Sequence, residues 1–169
     1  MTTMSICRFV LPIALIAAAG CSSPTPDRSA ATPSADSTAS APDSNSAEAA
    51  ADVIRGYYAA IDAHDYQTAW FAWGEQGPAN GQTYEQFVRG FANTASVSVT
   101  VGPPGGIEGA AGSRYIEIPV DVHARTQDGR DQRFMGSYVL RRAEVDGATR
   151  EQRRWHFSTA TLRETTATR

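Results

Sequence analysis

The sequence predicts an α+β domain in which helices from its first half pack on one face of an antiparallel sheet. Apolar residues recur at helical spacing up to about residue 92 and alternate with polar residues from about residue 96 onward. Turn sequences such as Asp128-Gly129 separate the alternating segments, which is typical of strands joined by hairpins. Helices followed by consecutive hairpin strands usually segregate to one face of the sheet.

Three helices are predicted, each with a capping signal at its start. They are residues 49–63 after a capping box of Asn45 and Glu48, residues 66–73 after Asp65, and residues 84–92 after a capping box of Thr83 and Gln86. A loop rich in glycine, proline and asparagine, residues 74–81, separates the last two helices.

About four strands are predicted, and the second alternates most regularly. The strands are residues 96–101, 115–125, 133–142 and 154–163. Residues 102–106 and 109–112 are predicted as turns, and Asp128-Gly129 and Asp146-Gly147 as hairpin turns. The second strand places Ile116, Ile118, Val120, Val122 and Ala124 on one face and Glu117, Asp121, His123 and Arg125 on the other.

The hairpin at Gly129 decides which side chains share the apolar face. A two-residue loop would put Tyr138 on the face of Asp121, whereas a three-residue loop, residues 127–129, brings both apolar sets to one face. Burial favours the longer loop, with Gly129 at positive φ. The pairs predicted with it are Thr126–Arg130, Val122–Gly136, Val120–Tyr138 and Ile118–Leu140.

The first 46 residues have a composition unlike the rest of the chain. Arg8 precedes an apolar run, residues 9–19, which is too short to span a hydrocarbon core of about 30 Å. Ala18-Ala19-Gly20 then leads into Cys21, and residues 22–46 are almost entirely Ser, Ala, Thr, Pro and Asp. Such a segment buries too little apolar surface to fold by itself, so we expect a disordered tether.

The sequence around Cys21 resembles the lipobox of bacterial lipoproteins. The resemblance implies cleavage before Cys21, diacylglycerol on its thiol and acylation of the new amino terminus, although the class favours leucine where Ala18 stands. Serine at position 22 implies the outer membrane, with the domain facing the periplasm. The alternative is a plain secretory peptide in which Cys21 is incidental. The expected boundaries are signal peptide 1–20, lipidated cysteine and tether 21–46, domain 47–164 and tail 165–169.

The phrase VIRGYYAAIDAHDYQTAW, residues 53–70, covers the first two predicted helices. With the strands that follow, it resembles the nuclear transport factor 2-like superfamily over about residues 48–164. The resemblance implies a cone with a pocket between a curved sheet and the first helix. That superfamily contains ketosteroid isomerase, polyketide cyclases, dehydratases and many non-catalytic domains, so the fold alone does not assign a function.

Catalysis in such a pocket would need a carboxylate or a histidine beside tyrosine hydroxyls. Asp121 and His123 share the polar face of their strand, opposite the aliphatic face, which argues against an acid–base pair inside the pocket. We therefore expect binding without catalysis. The acid–base candidates are Tyr57, Tyr58, Asp62, Asp121, His123 and His156. The candidate pocket lining, for which core packing is the alternative, is Tyr57, Tyr58, Trp70, Trp73, Phe87, Phe91, Tyr138 and Trp155.

No cofactor or metal is predicted, because the histidines lack ligand spacing, Cys7 leaves with the leader, and no glycine-rich nucleotide motif follows a strand. The net charge of −3 does not favour nucleic acid. Arginines between residues 141 and 163 form either a solvated hairpin or a contact to anionic lipid or an acidic partner. Expected partners are the membrane, through Cys21, and a small apolar ligand or an envelope protein; a homodimer is left open. The alternative functions are an isomerase- or dehydratase-type enzyme and an inhibitor or assembly factor of an envelope machine.

Overall fold

The computed structural model describes residues 43–165 as an α+β unit, which confirms the predicted fold class. The signal peptide, Cys21 and all but the last four residues of the tether lie outside the described residues, as do residues 166–169. The helices are α1 (Ala47–Asp62), α2 (Tyr66–Phe71) and α3 (Tyr84–Gly90). The strands are β1 (Thr94–Val101), β2 (Glu108–Ala110), β3 (Ser113–Thr126), β4 (Asp131–Ala143) and β5 (His156–Glu164).

The predicted caps of α2 and α3 are confirmed. Asp65 accepts a hydrogen bond from the Thr68 amide, and Thr83 and Gln86 form a reciprocal capping box. Both helices end earlier than predicted, at Phe71 and Gly90. Short helices of this kind depend on their caps, because few intrahelical hydrogen bonds hold them.

The helix α1 begins two residues earlier than predicted, and its predicted N-cap is wrong by one position. The Ser46 hydroxyl, not Asn45, caps the helix by accepting from the Ala49 amide at 3.1 Å. Glu48 does not close a capping box, because its carboxylate binds the Arg55 guanidinium about two turns further along, at 2.6 Å. The Asn45 amide instead donates to Asp43 in a turn before the helix.

The sheet has five strands instead of about four, in the antiparallel order β1-β3-β4-β5, with β2 paired to the start of β3. The additional strand, β2, overlaps residues 109–112, which were predicted as turn, and pairs Glu108 with Tyr115. Its three residues carry no alternating pattern, so pairing with β3 alone defines it. The predicted hairpin at Asp146-Gly147 is also a longer connection, because β5 begins only at His156.

The three-residue hairpin loop, residues 127–129, is confirmed. Gly129 has φ 84°, and the Thr126 amide donates to the Arg130 carbonyl at 2.9 Å. The pairs predicted further along are wrong by two residues, since Val120 faces Gly136, and Tyr138 faces Ile118. The observed register is the one that follows from a Thr126–Arg130 pair, so each residue of β3 pairs with a residue two positions nearer the turn than predicted. A shift of two residues keeps every side chain on its predicted face. Tyr138 therefore does lie on the inner face with Val120.

The core lies between α1 and the inner face of the sheet. Ile54 and Ile61 of α1 and Ile116, Ile118 and Leu140 of the sheet are almost completely buried. Among the described residues, no helix has the length and apolar character needed to cross a membrane.

Candidate functional site

A cluster of aromatic rings fills the space between α1 and strands β4 and β5. Tyr57 packs edge-on against Phe157, with ring centroids 5.0 Å apart, and Tyr138 lies 4.5 Å from the same Phe157 ring. Trp73 also packs on Phe157, with ring centroids 4.9 Å apart. Such offset and edge-on contacts add to the stability gained from apolar burial.

Two tyrosine hydroxyls meet inside this cluster. The hydroxyls of Tyr58 and Tyr138 are 2.7 Å apart, and both residues are about 95% buried or more. One of the two hydroxyls donates to the other, so both oxygens take part in a hydrogen bond in a region with little water. This pair occupies the place where a deep pocket was expected between α1 and the sheet.

An open recess of about 510 Å³ lies at the edge of the aromatic cluster. Its walls come from α1, α3, β5 and the α2–α3 loop. The volume falls in the range of small-molecule sites. The lining residues are Tyr57, Trp73, Pro78, Ala79, Asn80, Gln82, Phe87, Gly90, Phe91, Ser158, Thr159 and Ala160.

Local sequence explains why the recess is open on the β5 side. Ala160 lies directly opposite Tyr138 on the inner face, where a larger side chain would fill the space. An irregularity in the β4–β5 pairing leaves Ser158 as an extra residue between Phe157 and Thr159. Small side chains on β5 therefore face large rings on the helices.

The recess is electrically neutral at ordinary pH. None of its lining side chains is acidic, basic or an imidazole, and its one titratable group is the Tyr57 phenol. Burial raises the pKa of Tyr57, and the nearby Tyr138 raises it further. Burial also raises the pKa values of Tyr58 and Tyr138, so all three remain neutral phenols.

The Trp73 indole lacks a hydrogen-bond partner among residues 43–165. Its Nε1 atom is buried, and yet no acceptor of the described part of the chain meets it with suitable geometry. The Trp73 side chain opposes the rise in the pKa of Tyr57, and the two ring centroids lie 6.4 Å apart. Buried donors without partners are rare in proteins.

The structure brings four of the eight candidate lining residues to the recess: Tyr57, Trp73, Phe87 and Phe91. Tyr58 and Tyr138 lie behind them in the core. Trp70 packs edge-on against Tyr84 and Phe87 and does not line the recess. Trp155 is buried beneath the Arg142 guanidinium, 5.7 Å from the ring centroid, and is not part of the recess lining.

Asp121 and His123 lie on the outer face of the sheet, as their parity predicted. Arg133 binds the Asp121 carboxylate with two nitrogens, at 2.9 and 2.5 Å. This interaction holds the pKa of Asp121 below its ordinary value. His123 is 3.3 Å from the same carboxylate, and its side chain is 55% exposed. Neither group borders the aromatic recess.

The remaining acid–base candidates have structural contacts outside the recess. Asp62 accepts a hydrogen bond from the Val97 amide at 2.8 Å, which joins the end of α1 to β1. The His156 side chain is 17% exposed, and its Nε2 lies 3.0 Å from the Glu151 carbonyl. Within residues 43–165, no three His, Cys, Asp or Glu side chains are grouped to hold a metal ion. That the protein binds no metal remains a prediction.

A second depression, of about 450 Å³, lies near the 127–129 hairpin. It is lined mainly by polar or charged side chains, among them Asp62, His123 and Arg125. It has no aromatic wall, and most of its side chains are exposed. The aromatic recess is therefore the stronger candidate for a small-molecule site.

The sequence did not predict the loop and strand walls of the recess. Asn80 and Gln82 belong to a loop whose path no periodicity describes, and Ser158 depends on the irregular β4–β5 pairing. One usable signal was the run of small side chains in β5, Ser158 to Thr161, opposite the aromatic residues.

No family model and no curated protein matches the chain, but solved structures do. A Novosphingobium aromaticivorans protein provisionally named an aromatic ring hydroxylase shows 18% identity over 70% of this chain and 92% of its own, with a TM-score of 0.50. A protein of the same organism provisionally named scytalone dehydratase shows 18% identity over 70% and 83%, with a TM-score of 0.50. A nuclear transport factor 2-like superfamily protein of Salmonella enterica shows 14% identity over 73% and 92%, with a TM-score of 0.47.

At these identities the likeness to solved structures shows the fold alone. The fold shared with the two Novosphingobium proteins, helices followed by an antiparallel sheet, is of the α+β class that the sequence predicted.

Proposed function

We propose that this domain binds a small, uncharged, largely apolar ligand in the aromatic recess and does not catalyse a reaction. The observation that carries the proposal is the chemistry of the lining. The lining combines aromatic rings with a few neutral polar residues, among them Asn80, Gln82 and Ser158. Clefts with apolar walls and a few polar groups are typical of small-molecule binding sites.

The alternative is an isomerase- or dehydratase-type enzyme with the same recess. Proton transfer at neutral pH would need a group that changes protonation near that pH, within hydrogen-bond reach of the ligand. Tyr57 does not meet this need, since burial keeps its phenol neutral. The names of the two Novosphingobium proteins are enzyme names, but these proteins are only 18% identical to this chain. Nothing in the described residues favours the third possibility, an inhibitor or assembly factor of an envelope machine.

The second part of the proposal is that a lipid on Cys21 anchors the protein to a membrane. Ala18-Ala19-Gly20-Cys21 after a short apolar run supports lipidation of Cys21 and a position on the bacterial outer membrane, facing the periplasm. Several acyl chains would hold the protein stably, whereas one would not. Cys21→Ser should leave an uncleaved precursor that takes up no labelled palmitate; normal labelling and maturation of that variant would contradict the anchor.

The binding half can be tested with N-phenyl-1-naphthylamine, a neutral probe that fluoresces when it leaves water. Ala160→Trp should reduce its affinity at least about tenfold, because the new ring would occupy the recess. Thr161→Trp is the matched control: the neighbouring residue lies opposite Ser137 on the outer face, where a ring leaves the recess open. Circular dichroism checks that both variants fold.

Two outcomes would contradict the proposal. Equal affinity of the probe for wild type and Ala160→Trp would place binding elsewhere on the protein. A loss of function of about a hundredfold in the Asp121→Asn, His123→Ala double variant, with folding intact, would indicate proton transfer by the outer face and would contradict binding without catalysis. We expect this double variant to bind the probe as wild type does.

A further inference from the structure

We propose that Asn80, which borders the aromatic recess, is a site of spontaneous deamidation, and that the carboxylate it gains makes the recess favour cationic ligands. The modification itself depends only on the loop that carries Asn80. Its effect on ligands rests on the proposed function, and adds how the charge preference of the recess changes as the protein ages.

The sequence distinguishes Asn80 from the other asparagines. The chain has three, Asn45, Asn80 and Asn93, and only Asn80 precedes a glycine. Deamidation begins when the backbone nitrogen of the following residue attacks the side-chain amide carbon. A side chain on that following residue obstructs the attack, and Gly81 has none. A serine and a threonine follow the other two asparagines.

The structure leaves both reacting groups accessible. Asn80 and Gly81 are exposed, and a Cβ atom at Gly81 would have no neighbour within 4 Å. In the part of the chain that the structure describes, the Gly81 amide has no hydrogen-bond partner. Water and hydroxide therefore reach the nitrogen that must lose a proton before it attacks.

The Asn80 side chain is folded back over the peptide that attacks it. Its Oδ1 accepts a hydrogen bond from the Gln82 amide at 3.0 Å, across the intervening Gly81. This hydrogen bond draws electron density from the amide carbon, which makes the carbon a better electrophile. The described hydrogen bonds of residues 75–82 all stay within residues 74–82, so none ties this loop to the sheet or to α1.

The reaction consumes only water. The Gly81 nitrogen loses its proton and forms a bond to Asn80 Cγ, the bond from Cγ to the side-chain nitrogen breaks, and ammonia leaves. Water then adds to one of the two carbonyls of the resulting succinimide, and the ring C–N bond at that carbonyl breaks. The product is aspartate, or isoaspartate if the chain now runs through the β-carbon. Both carry one new carboxylate.

This charge matters because of where Asn80 lies. It borders the recess, whose lining side chains carry no charge at ordinary pH. A carboxylate there attracts a cationic ligand and leaves the interaction with a neutral one almost unchanged. Deamidation therefore alters which ligands the recess prefers without closing it.

The modification is tested by mass spectrometry of peptides from protein incubated at neutral and mildly alkaline pH. Trypsin separates the three asparagines, because Arg55 and Arg89 lie between them. Asn80 should convert at least about tenfold faster than the other two, and faster as the pH rises, because glycine leaves the attack unobstructed. Equal rates at the three asparagines would overturn the modification and leave the proposed function intact.

Gly81→Ala tests the proposed cause. The new methyl group obstructs the attacking nitrogen, so conversion of Asn80 should slow at least about tenfold. Unchanged conversion in this variant would contradict attack by the residue 81 nitrogen.

The charge preference is tested with Asn80→Asp, which carries the new carboxylate from the start. The probes are 1-naphthalenemethanol, which is neutral, and 1-naphthylmethylammonium, which has the same rings and one positive charge. By isothermal titration, Asn80→Asp should shift the ratio of the two affinities about three- to tenfold toward the cation. Asn45→Asp is the matched control, because it adds the same charge at an exposed residue outside the recess, and should shift the ratio less than about twofold.

An unchanged ratio in Asn80→Asp, or an equal shift in both variants, would overturn the proposed charge preference and leave the proposed function intact. Failure of the neutral alcohol to bind freshly purified wild type would count against the proposed function itself.

Discussion

At the residue scale, Gly136 allows β4 and β5 to approach closely. A Cβ atom at this position would lie 1.8 Å from the Thr161 carbonyl oxygen, well inside contact distance. Gly136→Ala should therefore lower the free energy of unfolding by about 3 kcal/mol, because the strands must separate to admit the methyl group. Urea denaturation followed by circular dichroism measures the change.

Gly56→Ala is the matched control for this substitution. Gly56 lies on the exposed side of α1, and a Cβ atom there would meet nothing within 4 Å. Alanine is the better helix former, so this variant should gain about 0.5–1 kcal/mol. If both variants were equally stable, the close approach at Gly136 would not exist in solution.

Gly129 and Gly136 differ in whether the local sequence predicts their conformation. Gly129 was predicted at positive φ because the turn sequence Asp-Gly carries the signal locally. Gly136 carried no such signal, since its need for a hydrogen side chain comes from a strand more than 20 residues away. The same limit applies to the candidate lining residues. The sequence shows where the aromatic residues are, but tertiary packing decides which of them reach the recess.

At the scale of the elements, two neighbouring residues, Asn45 and Ser46, are both of a type that caps helices at the start of α1. Ser46→Ala should destabilise the domain by about 1 kcal/mol, because the Ala49 amide loses its acceptor. Asn45→Ala removes the residue that the sequence favoured, and should change the stability by less than half as much. A larger effect at Asn45 than at Ser46, in thermal or urea unfolding, would restore the capping box first predicted.

The elements were otherwise largely predictable from periodicity, and the exceptions have physical causes. The regular alternation of β3 specified its two faces correctly, because one face must be buried. The three residues of β2 are all exposed and are defined by hydrogen bonds to β3, so no local pattern marks them.

At the scale of the whole molecule, three buried tyrosines tie stability to alkaline pH. Burial raises the pKa values of Tyr57, Tyr58 and Tyr138 above the ordinary value in the unfolded chain. A raised pKa means that the folded state holds protons that the unfolded state releases above about pH 10. The stability should thus be constant up to that pH and then fall by at most about 1.4 kcal/mol per pH unit for each tyrosine.

Urea midpoints between pH 7 and pH 11.5, combined with tyrosinate absorbance at 295 nm, would check this expectation. The absorbance of the three buried phenols should appear only as circular dichroism reports unfolding. Their ionisation in a chain that remains folded would contradict the closed aromatic interior. Tyr58→Phe with Tyr138→Phe removes two of the three groups and should make the decline less steep.

The hydrogen bond from the Val97 amide to Asp62 has a consequence for association between molecules. β1 is an edge strand whose sequence, TASVSVTV, has neither charge nor proline to discourage pairing with another chain. Asp62 occupies an amide that such a strand would use, and brings a negative charge to the same edge. Asp62→Asn keeps an acceptor there, whereas Asp62→Ala exposes the amide. In light scattering and thioflavin fluorescence, the alanine variant should form intermolecular β-aggregates sooner than the asparagine variant, and one carboxylate would then act as a gatekeeper against self-assembly of the domain.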